Sequence, residues 1–255
     1  MTRRSAVVLG WLGLVLADGP KVFSATLTPT NDPVAGRALA EKLRSSPPTE
    51  NSVITGVLRI ETKKKDRLEL VPLLCRIVTN ETSWQTIYET HPTNGAPAEQ
   101  LVIIHSPSQT NLYVHTLGTN AARSLVPAQA NISFAGSDFW LTDLGLDFLH
   151  WPGQRLLRVE MRRSRWCDVL ESIPAPGATN GYARVVAWLD KETGGPIHVE
   201  AFDHTNKRIK DFRLGSFKKL EGVWHLRNME IESRKTGSKT RIEFDLTVKE
   251  ERRID

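Results

Sequence analysis

Histidine is the side chain best suited to acid–base or metal chemistry near neutral pH, and this sequence contains seven of them. They are scattered: His198 and His225 fall in predicted strands, His204 falls in a predicted turn, and no pair has a known metal-ligand spacing. The sequence also lacks the HExxH, G-x-S-x-G, G-x-G-x-x-G and P-loop motifs. We therefore predict no catalytic residue, no metal site and no cofactor, and a protein that is not an enzyme.

The acidic residues do not indicate a general acid–base pair. Most of them alternate with apolar residues, as on the solvated face of an antiparallel sheet. Three others share one predicted helix, where capping and solubility are their expected roles: Asp138, Asp143 and Asp147. The two cysteines, Cys75 and Cys167, lie in apolar strand-like runs, and this placement fits either a disulfide or two buried free thiols.

The sequence has more apolar residues in its predicted strands than a sheet with one solvated face needs. The strands predicted near residues 166–170 and 183–189 carry apolar side chains on both faces, so each face needs a cover or a ligand. The tryptophans beyond the first 24 residues are Trp84, Trp140, Trp151, Trp166, Trp188 and Trp224. Two interpretations remain open at this point, which are ordinary core packing and an apolar cavity between a sheet and the helices that cover it.

The N-terminus has the pattern of a secretory signal. Arg3 and Arg4 precede an uncharged apolar run at residues 6–17, which is shorter than the ~20 residues of a membrane-spanning helix. Small residues at Ser24 and Ala25 predict cleavage between them. We therefore predict a signal peptide at residues 1–24, a linker at 25–31 and a folded domain at 32–255.

The elements of that domain are mostly strands. Asp32 and Pro33 begin an amphipathic helix, and a second helix is predicted from Ser137 or Asp138 to Phe148. Elsewhere apolar and polar residues alternate in about eleven or twelve strands joined as hairpins, with no β-α-β rhythm. This pattern predicts a single, mainly β (α+β) domain whose antiparallel meander forms a barrel or a strongly curved sheet, with two helices covering the concave face.

Composition and charge exclude several other classes. Apolar residues make up 40% of the 255 residues and charged residues 25%, which is ordinary globular usage and excludes bulk disorder, collagen and a coiled-coil rod. The formal net charge of +5 is mild, and part of it lies in the predicted signal peptide. We therefore predict no nucleic-acid partner.

Four segments carry a resemblance to a known family. They are residues 136–144 (GSDFWLTDL), 167–174 (CDVLESIP), 182–193 (YARVVAWLDKET) and 196–203 (PIHVEAFD). In this order they resemble the outer-membrane lipoprotein-sorting proteins, with a LolA-like or LolB-like fold, over about residues 130–250. The resemblance implies an open half-barrel of about eleven strands, whose apolar cavity receives the acyl chains of lipoproteins or lipids.

A periplasmic carrier that moves acylated cargo toward the outer membrane is the function that this resemblance implies. The expected partners are the acyl chains themselves, an inner-membrane exporter, an outer-membrane acceptor and transient membrane-surface contact, with the carrier acting as a monomer. The candidate cavity residues are Leu39, Leu43, Phe139, Trp140, Leu144, Phe148, Trp166, Trp188 and Trp224.

A sensor or scaffold of the same fold that binds a protein partner is the alternative. Its expected contacts are clusters of basic residues at hairpin ends, which would face an acidic partner or anionic headgroups. These clusters lie at residues 63–65, 162–165 and 218–219. A hydrolase is a distant third hypothesis, because the sequence shows no nucleophile and base in a known motif.

Overall fold

A computed structural model of the chain describes residues 31–48, 50–63, 67–80, 82–107, 109–178, 181–215, 217–220 and 223–246. The predicted signal peptide and nearly all of the predicted linker lie outside these ranges. The described helices are α1 (Pro33–Arg44) and α2 (Leu141–Leu144). The strands are β1 (Ser52–Thr62), β2 (Arg67–Thr79), β3 (Trp84–Thr90), β4 (Glu99–Ser106), β5 (Gln109–Leu117), β6 (Arg123–Leu125), β7 (Gly153–Arg162), β8 (Arg165–Ile173), β9 (Arg184–Asp190), β10 (Pro196–Phe202), β11 (Arg208–Leu214), β12 (Phe217–Leu220), β13 (Val223–Leu226), β14 (Asn228–Ser233) and β15 (Lys239–Phe244).

Helix α1 begins as the sequence predicts. The Asp32 side chain accepts hydrogen bonds from the backbone N–H groups of Val34 and Ala35, and Pro33 takes the first helical position. The helix packs closely on β7: a Cβ atom on Gly36 would lie 2.5 Å from the Cα atom of Arg155. Glycine at this position therefore brings α1 against the strand backbone.

Thirteen of the described strands form one antiparallel sheet. Their order is β6-β5-β4-β3-β2-β1-β15-β14-β11-β10-β9-β8-β7, so the sheet is open, with β6 and β7 at its two edges. This confirms the predicted mainly β fold with an open, half-barrel sheet. Strand β1 pairs with β15, and this pairing joins the two halves of the chain in the middle of the sheet.

The described strands number fifteen, more than the eleven or twelve that the sequence predicts. Strands β12 and β13 leave the main sheet as a separate two-stranded ribbon, and the short strand β6 adds to the sheet edge. The ribbon begins at Gly215, whose N–H donates to the carbonyl of Asn228. A Cβ atom on Gly215 would overlap the Asn228 side chain, so the close pairing at this point requires glycine.

The second predicted helix is wrong in its length and in its cap. Only α2 and a 3₁₀ turn at Asp147–His150 form, because Gly145 ends α2 and Leu146 takes a left-handed conformation with φ of 49°. The Asp138 carboxylate caps no helix; it accepts hydrogen bonds from the hydroxyl groups of Ser238 and Thr240 on the sheet side. We call residues 126–151, which contain these short turns, the plug.

The core lies between the plug, α1 and the inner face of the sheet. The inner face carries Leu58, Tyr113, Leu170 and Ile242, all of which are fully buried. A smaller apolar cluster covers the outer face and contains Cys167, Val169, Val186, Trp188 and Ile197. Both cysteines are buried free thiols, with Cys75 in the inner cluster and Cys167 in the outer one.

No helix within the described ranges has the length and apolar content that spanning a membrane requires.

Candidate apolar ligand site

The plug fills most of the space above the inner face of the sheet. Phe134, Phe139, Leu141 and Leu144 are fully buried in the same apolar cluster as the sheet residues. A cavity of about 30 Å³ remains beside them. This volume holds a water molecule or two, so this cavity, as the described residues form it, is far too small for an acyl chain. The cavity is lined by Asp143, Leu146, Phe148, Tyr182, Val185, Val199, Ala201, Lys210, Phe212 and Ile231.

A larger cleft of about 400 Å³ opens to solvent on the other side of the plug. Its volume lies in the usual range of small-molecule sites. Asp143, Phe148 and Tyr182 line both the cleft and the small cavity. These three side chains therefore lie where the cleft and the cavity adjoin, and we call them the partition. The cleft is otherwise lined by Thr110, Pro127, Ala128, Asn131, Thr142, Asp147, His150, Trp151, Pro152, Pro174, Ala175, Gly177 and Ala178.

A buried ion pair holds the partition to the sheet. The Lys210 ammonium on β11 lies 2.9 Å from Asp143 Oδ2, and the Tyr182 hydroxyl donates to Asp143 Oδ1 at 2.7 Å. Lys210 Nζ also lies 3.7 Å from the centroid of the Trp140 ring, which stacks on Tyr182. Burial lowers the pKa of Lys210, while the Asp143 carboxylate raises it. Breaking such a pair leaves an unpaired buried charge, at a cost of about 3–5 kcal/mol.

A second buried carboxylate, Asp147, holds the C-terminal part of the plug, and it has no charged partner among the residues that the structure describes. Its oxygens accept hydrogen bonds from the Tyr113 hydroxyl and the Trp151 indole N–H, each at 3.3 Å. Burial raises the pKa of Asp147 to about 6. Beside it, Asn111 donates to the Gly145 carbonyl at 2.8 Å and contacts His105 Nδ1 at 3.0 Å. A chain of buried polar groups therefore connects the plug to β4 and β5.

Two further tethers fix the N-terminal part of the plug. Asp138 accepts from Ser238, just before β15, at 2.5 Å and from Thr240, within β15, at 3.0 Å. The Ala135 N–H donates to Glu99 Oε2 at 2.8 Å, and the other oxygen of Glu99 lies 2.8 Å from His115 Nε2. The plug is thus an apolar segment that polar contacts attach to both halves of the sheet.

The acidic residues of the plug differ from the sequence interpretation. Asp143 does cap α2, because its carboxylate accepts a hydrogen bond from the Trp140 N–H at 2.8 Å. Asp138, Asp143 and Asp147 do not share one helix, however, and each contacts a different part of the sheet. Sequence reasoning missed their partners Lys210 and Tyr182. One signal was available, because Lys210 occupies a position that alternates in register with the apolar residues Phe212 and Leu214 of β11.

Six of the nine predicted cavity residues lie together in or against the inner apolar cluster: Leu39, Leu43, Phe139, Trp140, Leu144 and Phe148. Phe148 lines both the cavity and the cleft. Trp188 belongs to the outer cluster instead, and half-buried Trp166 belongs to neither. Trp224 lies in β13, and its side chain is outside the described part of the structure. A ligand-binding role for these residues stays a prediction.

A family model described as "Uncharacterized protein" matches residues 82–252 of the chain. No curated protein matches the chain in sequence.

Solved structures from three bacteria share the fold. A DUF1329 family protein from Desulfovibrio piger has a TM-score of 0.69 and 20% identity, over 84% of this chain and 92% of that one. A protein domain described as outer membrane lipoprotein-sorting, from Vibrio parahaemolyticus, also has a TM-score of 0.69, with 18% identity over 86% and 96% of the two chains. A LolA superfamily protein from Nitrosomonas europaea has a TM-score of 0.58 and 15% identity, over 87% and 92%. At these identities the similarity shows the fold.

Proposed function

The chain belongs to the family whose model matches residues 82–252 and has the fold of the LolA superfamily, and from this premise we propose that it is a periplasmic carrier of acyl chains. The carrier binds the chains of lipoproteins or lipids at the inner face of the sheet and delivers them toward the outer membrane. One observation supports this most directly: Asp143, Phe148 and Tyr182 line both the solvent-facing cleft and the apolar cavity, so the two spaces adjoin at these side chains. Movement of the plug would join the two spaces.

In this proposal, an acyl chain that binds at the inner face of the sheet replaces the apolar side chains of the plug. A sixteen-carbon acyl chain gains on the order of 10 kcal/mol on burial, at ~0.8 kcal/mol per methylene. Displacing Phe134, Phe139, Leu141 and Leu144 from the inner face loses on the order of 10 kcal/mol, at ~1.5–3 kcal/mol per side chain. Because the two quantities are similar, the cargo can enter and leave without a large net change in free energy, as a carrier requires.

The basic residues of the alternative hypothesis are partly committed to contacts within the chain. Arg162 lies 3.7 Å from Glu200 and over the Trp188 ring, and Arg165 pairs with Asp190 at 2.5 Å. The Arg163 guanidinium donates to the Leu214 carbonyl at 3.1 Å. These contacts account for the 162–165 cluster within the chain itself. Most side chains of the other two clusters lie outside the described part of the structure.

Two half-buried leucines on opposite faces of the sheet provide a matched test. Leu146 lines the cavity in the plug, whereas Leu157 packs against the outer cluster. The purified protein, stripped of lipid, is titrated with a fluorescent acylated peptide, and gently purified protein is weighed by native mass spectrometry. We expect saturable uptake and a weakening of at least about tenfold in Leu146→Glu, because a buried carboxylate opposes an apolar ligand.

Leu157→Glu is the control and should retain the wild-type affinity. Equal weakening in both variants would assign the loss to general destabilisation. A bare protein mass together with no uptake of acylated peptide by the wild-type protein would contradict the carrier proposal and favour the partner-binding module.

A further inference from the structure

A separate cluster of potential metal ligands lies on the outer face of the sheet, away from the plug. His198 and Glu200 are two residues apart on β10, and the register of β10 and β11 places Asp211 opposite Glu200. The ligand atoms of the three side chains all lie within 4.8 Å of one another. His198 Nε2 is 3.1 Å from Glu200 Oε1 and 4.0 Å from Asp211 Oδ1.

The Asp211 carboxylate is only half satisfied. Asp211 is 1% exposed, and its Oδ2 atom accepts a hydrogen bond from Arg234. Within the described part of the chain, its buried Oδ1 atom accepts no hydrogen bond. The Arg208 guanidinium lies beside this oxygen, with its Nη1 atom 3.5 Å away, and the Arg208 side chain is 41% exposed. A buried acceptor without a donor is costly, and this oxygen faces His198 and Glu200.

We propose that His198, Glu200 and Asp211 bind one divalent transition-metal ion of the Zn²⁺ class. Imidazole and carboxylate ligands suit this class, at metal–ligand distances of about 2.0–2.2 Å. Such bonds place ligand atoms roughly 3.0–3.5 Å apart, so small side-chain rotations from the observed separations are enough. His198 coordinates through Nε2 and carries its ring proton on Nδ1, and a water molecule takes the remaining position.

Among the described cations, Arg162 and Arg208 contact the proposed ligand Glu200. Arg162 lies 3.7 Å from Glu200 over the Trp188 ring, and its side chain is 31% exposed. Arg208 pairs with Glu200 at 2.8 Å and sits beside Asp211 Oδ1, so it occupies the place of the metal ion. Because its side chain is partly exposed, it can swing into solvent when the ion binds. Arg234 is not in the way, since it bonds the other oxygen of Asp211 and orients that carboxylate from behind.

The sequence predicts no metal site, because the three ligands come together only through the pairing register of β10 with β11. His198 and Glu200 alone form no known ligand pattern, and Asp211 joins them only through the pairing of β10 with β11. The proposal is independent of the carrier function, because the cluster lies on the opposite face of the sheet from the cavity. Either proposal can fail without the other.

Equilibrium dialysis of the EDTA-treated protein against Zn²⁺, with metal analysis of both compartments, tests the site. We expect one Zn²⁺ per chain and a loss of affinity of at least about tenfold in His198→Ala and in Glu200→Gln. His91→Ala is the matched control, because His91 lies 3.3 Å from Glu89 in an exposed histidine–glutamate pair, and it should bind as the wild type does. A binding ratio near zero, or wild-type affinity in His198→Ala, would overturn the proposal.

Zinc binding by Arg208→Ala is a second test. Its expected result is a gain of affinity, which misfolding would not produce. If Arg208 only satisfies the two carboxylates, its removal leaves zinc binding unchanged. If it competes with the ion, its removal strengthens zinc binding by several-fold, and thermal unfolding in the presence of Zn²⁺ shifts to higher temperature. An unchanged or weakened affinity in Arg208→Ala counts against an ion that takes the place of Arg208 between Glu200 and Asp211.

Discussion

Asp147 is a buried carboxylate whose hydrogen-bond donors, Tyr113 and Trp151, are both neutral. Burial raises its pKa from 3.8 to about 6, so the folded protein disfavours the charged form. The penalty is absent below the unfolded pKa, grows as the pH rises through about 6, and is complete above it. The contact of Asp147 with the sheet therefore holds the plug more firmly in mildly acidic solution than at neutral pH.

Replacement of the Asp147 carboxylate by a neutral amide tests whether the charged form destabilises the folded protein. In Asp147→Asn we expect the free energy of unfolding to rise relative to wild type at pH 7.5, by about 1–2 kcal/mol. The full value of the shift is not gained, because Tyr113 and Trp151 donate to different carboxylate oxygens and the amide NH2 group of Asn replaces one of them. Urea unfolding at pH 7.5 and at pH 5 measures the difference, which should shrink or reverse at the lower pH. A constant difference at the two pH values would contradict this account.

Single residues also show how much of the site can be predicted from the sequence. Lys210 interrupts the apolar alternation of β11, and this anomaly was visible in the sequence. Its partner was not, since Asp143 lies 67 residues earlier on a segment that has no regular pairing with β11. The sequence can therefore indicate that a buried charge needs a partner, but the choice of partner depends on tertiary packing.

At the scale of elements, the local sequence predicts the structure of α1 correctly but not that of the plug. Helix α1 has a cap, a proline at its start and an apolar face, and all three signals agree with the observed helix. The plug has an apolar periodicity that also predicts a helix, but its tethers to the sheet and the left-handed Leu146 shorten the helix to α2. Tertiary contacts override the local pattern in the plug because each acidic residue has a partner outside it.

Gly36 gives a test in which helix propensity and packing predict opposite signs. Alanine normally stabilises a helix by about 1 kcal/mol relative to glycine. At position 36 the added Cβ would lie 2.5–2.6 Å from backbone atoms of Arg155, so α1 must move away from β7. We expect Gly36→Ala to lower the free energy of unfolding by about 1–3 kcal/mol, measured by urea denaturation.

Ala38 is the control for that experiment, because it is exposed on the same helix. Ala38→Gly should cost only the propensity term of about 1 kcal/mol. A Gly36→Ala variant that is more stable than the wild type would mean that α1 is not held at the observed distance from β7.

At the scale of the whole molecule, the sheet has two faces with different contents. The inner face is apolar and covered by α1 and the plug, whereas the outer face of β8–β11 carries Trp188, His198 and a network of ion pairs. The alternation of each strand predicted that two faces exist. It could not predict which strands are neighbours, because β1 with β15 and β11 with β14 pair across distant parts of the sequence. This is why Trp188 was predicted at the cavity and lies on the outer face.

The carrier proposal makes a prediction about the molecule as a whole that simple ligand binding does not. Most ligands protect the backbone amides they contact from hydrogen exchange, because they stabilise the folded state. Here the acyl chain takes the place of the plug side chains, so binding should accelerate exchange in residues 130–146. The strands beneath, such as β1 and β15, should keep or gain protection, since their inner faces stay covered by the acyl chain.

Hydrogen exchange with mass-spectrometric detection, with and without a saturating acylated peptide, measures this divergence. An unacylated peptide of the same sequence is the control and should change neither region. Protection that increases in the plug and in the sheet together would mean that the plug stays in place when cargo binds. The proposal that the acyl chain replaces the plug side chains would then be wrong. The acylated peptide would have to bind in the cleft, outside the partition of Asp143, Phe148 and Tyr182.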